Sequence, residues 1–192
     1  MGKIIPISKF YNLLAPVLFM VGSLYGLNSQ AADSRPSFED ENIVLRLSPR
    51  SPDQMAGFYE ARGFPKPMVD ILKGYCFLTV VIHNKSSNVM WLDLDDWEFK
   101  SGTKTVVRVS RTQWPSRWKQ MGVPLAAQST FRWTLLPELL DFRPDEHEGG
   151  NIVLVRTKEE FSLQAPFLLG ADKKSGRIIA HIDNLKCAED AK

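Results

Sequence analysis

Apolar and polar residues alternate along much of the chain, and the stretch from Tyr75 to Lys100 organises the rest. Cys76, Leu78, Val80 and Ile82 fall on one face at period two, and Phe77, Thr79, Val81 and His83 on the other. One face is wholly apolar and the other mixed, which predicts a central strand. Asn84-Lys85-Ser86-Ser87-Asn88 supplies turn chemistry, short side chains that bond their own backbone. Met90, Leu92 and Leu94 then share one side of a second strand. Trp97 and Phe99 alternate with Glu98 and Lys100 in a third.

Upstream, Ile43, Leu45 and Leu47 alternate with Val44 and Arg46, a first strand. Ser51-Pro52-Asp53-Gln54 reads as a helix start: Ser51 can cap, Pro52 suits the first helical position, and Gln54 can close a capping box. Gly63, Pro65 and Pro67 end that helix, and a short helical turn from Met68 to Leu72 can follow. Downstream, Ser101-Gly102 predicts a hairpin turn and Lys104 to Val109 the returning strand. Trp114, Trp118 and Met121 recur at helical spacing, so Arg111 to Met121 reads as a second short helix with Pro115 in its first turn.

From Gln128 to Leu135, Phe131, Trp133 and Leu135 alternate with Thr130, Arg132 and Thr134. That pattern predicts a strand with Trp133 on its buried face. Glu138 to Gly150 reads as a loop by its Pro, Gly-Gly and acids. Strands over 151–156, 161–167 and 177–185 complete the pattern, the last two joined by a charged turn. The whole predicts a mainly β protein: an antiparallel two-sheet sandwich, immunoglobulin-like in architecture, with about nine strands and two short helical insertions.

The first residues change the setting. Lys3 and Lys9 precede an uncharged apolar run, and Ser29-Gln30-Ala31 places small residues where a signal peptidase reads. Residues 1–31 are therefore expected to be a cleavable secretory signal, and 32–192 a single domain in the periplasm or outside the cell, with no membrane span left. Lys+Arg number 24 against 22 Asp+Glu, and Lys3 and Lys9 account for the whole excess. A near-neutral remainder disfavours a nucleic-acid partner. The two cysteines, Cys76 and Cys187, are expected to pair in an oxidising compartment. So long a closure contributes about 4–5 kcal/mol by the loop-entropy account.

Candidate chemistry is sparse. Asp145-Glu146-His147-Glu148 offers carboxylates and an imidazole, though four adjacent residues cannot all face one ion. The three histidines, His83, His147 and His181, could in principle form a metal site with Met90 as a soft ligand, but show no short ligand spacing. Asp93, Asp95 and Asp96 beside Trp91 and Trp97 could mark a sugar cleft or an acidic corner. Trp114, Arg117 and Trp118 could form an exposed patch that docks a partner, close to the acidic loop, or a lid sealed into the core. Asn84-Lys85-Ser86 matches the glycosylation sequon. No nucleophile elbow, phosphate loop, zinc-protease motif or dinucleotide fingerprint occurs. The expectation is a non-enzymatic binding domain with no cofactor, whose partner is another exported protein or a cell-envelope glycan. A histidine metal site and a carbohydrate-acting enzyme are the alternatives.

Overall fold

The computed structural model describes residues 35–191; the expected leader over 1–31 lies outside them. The chain runs β1 (Ser37–Glu39), β2 (Ile43–Arg50), α1 (Pro52–Glu60), α2 (Lys66–Lys73), β3 (Tyr75–Asn84), β4 (Met90–Asp93), β5 (Glu98–Ser101) and β6 (Lys104–Thr105). It continues with α3 (Trp114–Gln120), α4 (Leu125–Thr134), β7 (Leu139–Phe142), β8 (His147–Val155), β9 (Phe161–Leu169) and β10 (Gly176–Leu185). A 3-10 turn, Leu94–Asp96, separates β4 from β5. Among the described residues, no helix is long and apolar enough to cross a membrane.

The fold is mainly β, with two antiparallel sheets. One has the order β1-β2-β3-β8. In the other, β9 carries β5 and then β4 along one edge and β10 along the opposite edge, with β6 and β7 outermost. The inward residues of β2 and β3 meet those of β4, β9 and β10 in one apolar interior that includes Leu45, Leu78, Val80, Phe167 and Ala180. Cys76 of β3 is bonded to Cys187, just past β10, with Cα atoms 5.3 Å apart, so a covalent staple crosses between the sheets.

The outer face of the four-stranded sheet is covered at one end only. Phe77 and Val153, paired across β3 and β8, pack under the helices with Tyr59, Met68, Leu72, Trp114, Trp118 and Phe131. Helix α1 begins with the expected reciprocal cap: the Gln54 amide N–H donates to Ser51 Oγ at 3.3 Å and the Ser51 N–H to Gln54 Oε1 at 3.1 Å. Toward the other end of the sheet the outer face opens to solvent past Val81 and Gly149.

Three expectations are corrected. The alternating stretch before Leu135 is a helix, α4. Phe131 and Leu135, four apart, are both buried, while Trp133 is turned outward and is 80% exposed. Residues two apart on a helix lie on nearly opposite sides, so the apolar alternation was not a strand signal there. The segment from Glu138 to Gly150 is not wholly a loop, since it contains β7 and the start of β8. The sequon residue Asn84 is fully buried, and its amide donates to the Asn88 and Phe142 carbonyls at 2.8 and 3.1 Å. An amide so held is closed to glycosylation in the folded state.

Candidate binding site

Of the two alternatives for Trp114 and Trp118, exposed patch or sealed lid, the indoles take the second. Trp114 and Trp118 are 2% and 1% exposed, stacked with ring centroids 5.0 Å apart, and Phe131 meets the Trp118 ring edge-on at 5.4 Å. Helix α3 needs both indoles for its own attachment, because seven residues expose too few other apolar groups to hold it down. Arg117 turns away from the cluster's interior. It bonds the Tyr75 hydroxyl and lies 5.5 Å from both the Tyr75 and Trp114 rings, a cation–π clasp. Nor is the helix beside the acidic loop. Trp114 packs on Tyr75 at the start of β3, whereas His147 pairs with His83 near its end. Eight residues of strand separate those points, about 26 Å.

The histidines divide. His83 and His147 stack across the strands at 3.8 Å with 13° between ring planes, and His83 Nε2 donates to Asp145 Oδ1 at 2.9 Å. His181 sits in the other sheet and donates to Asp183 at 3.0 Å. Parallel rings send their lone pairs in parallel directions, so this pair cannot converge on one ion about 2 Å away. Among the described residues, no group of three or more His, Cys, Asp or Glu side chains is placed to hold a metal.

Two of the three aspartates are committed to structure, and exposed Asp96 lines a surface cleft with Trp91 and Asp93. Asp93 Oδ1 accepts from the Asp95 N–H at 2.9 Å, capping the 3-10 turn. Asp95 and Glu138 each accept from Arg108 at 2.5 Å. Trp97 is buried, and Trp91 donates from its indole to the Gly170 carbonyl at 2.8 Å.

What the helices do build is a cavity of about 370 Å³ between α3 and α4. Trp114, Trp118, Phe131 and Leu135 contribute apolar walls, with Pro115 and Leu125 toward solvent. Among the described residues its charged lining is Arg111 and Arg132; Glu138, which accepts from the Arg111 backbone N–H, stands beside them in the adjoining surface cleft. Arg111 donates from Nη2 to the Arg132 carbonyl at 2.7 Å, which ties the two together. Burial, and then the positive charge of Arg132, pull the Arg111 guanidinium below its ordinary pKa, while Glu138 acts in the opposite sense. Three buried donors here, Arg111 Nε and the indole nitrogens of Trp114 and Trp118, have no acceptor among the described residues. Buried donors are ordinarily paired, so three together are unusual. The sequence pointed to Trp114 and Trp118 but missed Arg111, Arg132 and the cavity. The signal was present: on a helical reading, Leu125, Gln128, Ser129 and Arg132 share one face.

No family model matches the chain, and no curated protein matches it in sequence. Among solved structures, the chain is similar to a candidate lipoprotein, ycdA, from Bacillus subtilis, at 13% identity and a TM-score of 0.40. The likeness covers 79% of this chain and 39% of that one. The chain thus spans well under half the length of that protein, and a likeness of this degree carries no argument about function.

Proposed function

We propose that the chain is an exported, non-enzymatic binding domain whose site is the α3–α4 cavity, and whose ligand carries an anionic group on an apolar body. One observation carries the reading: among the described residues, the charged groups that line this cavity with aromatic walls are two arginines. Like charges held together at an apolar cavity are relieved by an opposite charge brought in with the ligand. The volume is within the range of small-molecule sites. Export rests on the basic start, the uncharged apolar run and the Ser29-x-Ala31 site, and a Cys76–Cys187 bond is at home in such a compartment.

Titration of the purified protein with decanoate and with decanol tests the site, because the two share a chain and differ in charge. Decanoate should bind more tightly by about tenfold, a single good charge interaction. Arg132→Gln should bring decanoate to the level of decanol and leave decanol unchanged. Equal affinity for both, or a decanoate affinity indifferent to Arg132→Gln, would overturn the assignment. N-terminal sequencing of exported protein should begin at Ala32 or Asp33; an intact Met1 start in the membrane fraction would overturn the leader.

A further inference from the structure

On another side of α4 lies a second concavity, and its chemistry differs from that of the cavity. It is an open groove of about 600 Å³ on the uncovered outer face of the four-stranded sheet. Helix α1 supplies Gln54, Met55 and Phe58, the end of α4 supplies Trp133 and Thr134, and the sheet supplies Arg50, Thr79, Gly150 and Asn151. Arg50 is its one charged residue.

The polar side chains here are locked in a directed chain. Arg50 Nε donates to Thr79 Oγ1 at 2.9 Å, and Thr79 gives its single hydroxyl proton to Asn151 Oδ1 at 2.8 Å. Thr134 donates to the Phe131 carbonyl at 2.7 Å, so the 2.8 Å contact between Tyr59 and Thr134 must run from the Tyr59 hydroxyl. The backbone is fixed as well. At Gly150 any Cβ would lie 2.5 Å from the Leu136 nitrogen, so only glycine lets that segment run against β8.

This arrangement leaves a definite set of unused donors. The two terminal nitrogens of Arg50 and the Gln54 amide nitrogen have no partner among the described residues, since Gln54 spends its oxygen on the helix cap. Beside them stands Trp133, a large flat apolar ring held in water at the groove's edge. A residue type that is highly buried on average is seldom left so bare without a partner for its face.

We infer that this groove binds a short neutral saccharide, with one sugar ring laid on the Trp133 indole and its hydroxyls accepting from Arg50 and Gln54. The other ligand chemistries fit less well. An acyl chain would strip water from the Arg50 and Gln54 donors and return nothing. A cation would face Arg50 with no carboxylate to offset it. A compact anion would leave the indole unused. A saccharide matches both halves at once, apolar C–H faces toward the ring and paired oxygens toward the fork and the amide. The inference is independent of the cavity ligand proposed above.

Indole N–H resonances separate the two sites, because Trp114 and Trp118 line the cavity and Trp133 lines the groove. Oligomers of glucose, of mannose, of galactose and of N-acetylglucosamine, all uncharged, are titrated into the full protein. At least one should shift the Trp133 resonance and leave those of Trp114 and Trp118 in place. Trp133→Ala should weaken that ligand by about tenfold or more with an unchanged melting temperature, and Trp133→Phe should restore part of the loss. Gln54→Ala loosens the helix cap, so Arg50→Lys serves as the polar probe, and it should weaken binding with the fold intact. No Trp133 shift with any of the four probes, or binding that survives Trp133→Ala, would overturn the groove as a saccharide site.

Discussion

Two buried clusters share the four-stranded sheet, and they are built on different rules. The cluster between the sheets is mainly aliphatic: five of its twenty-seven buried members are aromatic, against six of fourteen in the cluster under the helices. Between the sheets, strands fix every side chain by alternation, and small branched residues interdigitate at the spacing that two sheets require. Under the helices, α1, α2, α3 and α4 span seven to ten residues each. Such short pieces are marginal alone and are held by the few large rings they can bury. The cost is polar: the Trp114 and Trp118 indoles go under with unpaired N–H groups. A sheet face closed by long strands is a seam. A sheet face closed by short aromatic helices leaves gaps at its margins, and both candidate sites lie there, the cavity between α3 and α4 and the groove between α1 and the end of α4.

The sharpest way to break the seam is covalent. Cys187→Ser removes a bond joining β3 to the chain end beyond β10 across a sequence separation of 111 residues. It should lower stability by about 4–5 kcal/mol, read by urea titration. Two free thiols in the untreated, unfolded wild-type protein would remove the staple from the account. Trp118→Ala strikes the other cluster and should cost about 3–5 kcal/mol, as a large-to-small change at a fully buried site. Trp118→Phe should cost clearly less, because it keeps most of the ring and deletes a buried donor without an acceptor. A loss below about 1 kcal/mol for Trp118→Ala would make the helical layer a loose cover and not a second core.

The same contrast explains what could be read in the sequence. The strand at Tyr75–Asn84 was legible because alternation gave it one wholly apolar face, and that face is the interior between the sheets. The α1 start was legible because Ser51, Pro52 and Gln54 act locally, within one helical turn. Helix α4 was not legible, since within its bounds it buries a single large residue, Phe131, and its apolar stripe is only Ala127, Phe131 and Leu135 wide. Its Phe131-Trp133-Leu135 alternation imitates a strand, and the deciding contacts, Phe131 on Tyr59 and Trp118, come from other helices. The proposed sites were hidden for the same reason. Arg111 meets Arg132 and Thr79 meets Asn151 only after the helices and strands have docked.

A titration probes the join between the helical layer and the sheet. Tyr59, on the buried face of α1, packs against Phe77 and Phe131, and burial pushes its phenol up to about 12. Because the folded value is raised above the ordinary tyrosine value near 10, the folded state holds the proton longer. The resulting stability is complete below about pH 10 and is lost as pH rises toward 12, a fall of roughly 2–3 kcal/mol for that group. Tyr59→Phe should flatten this part of the pH profile and cost about 1 kcal/mol at neutral pH, for the bond to Thr134. An alkaline loss equally steep in Tyr59→Phe would place the titrating group elsewhere.

The smallest expected effect discriminates best. Trp133 is the largest side chain left bare on α4, and read as a strand residue its loss should cost as much as Trp118→Ala. In the helix its ring contributes to neither buried cluster. Trp133→Ala should therefore change stability by less than about 0.5 kcal/mol, and alanine, the better helix former, recovers part of even that. Heat and urea unfolding of Trp133→Ala beside Trp118→Ala, two indoles on neighbouring helices, should give nearly the wild-type curve for one and a large shift for the other. Equal losses would mean that Trp133 is packed against something in solution. With a native-like Trp133→Ala in hand, any binding it loses belongs to the groove and not to the fold.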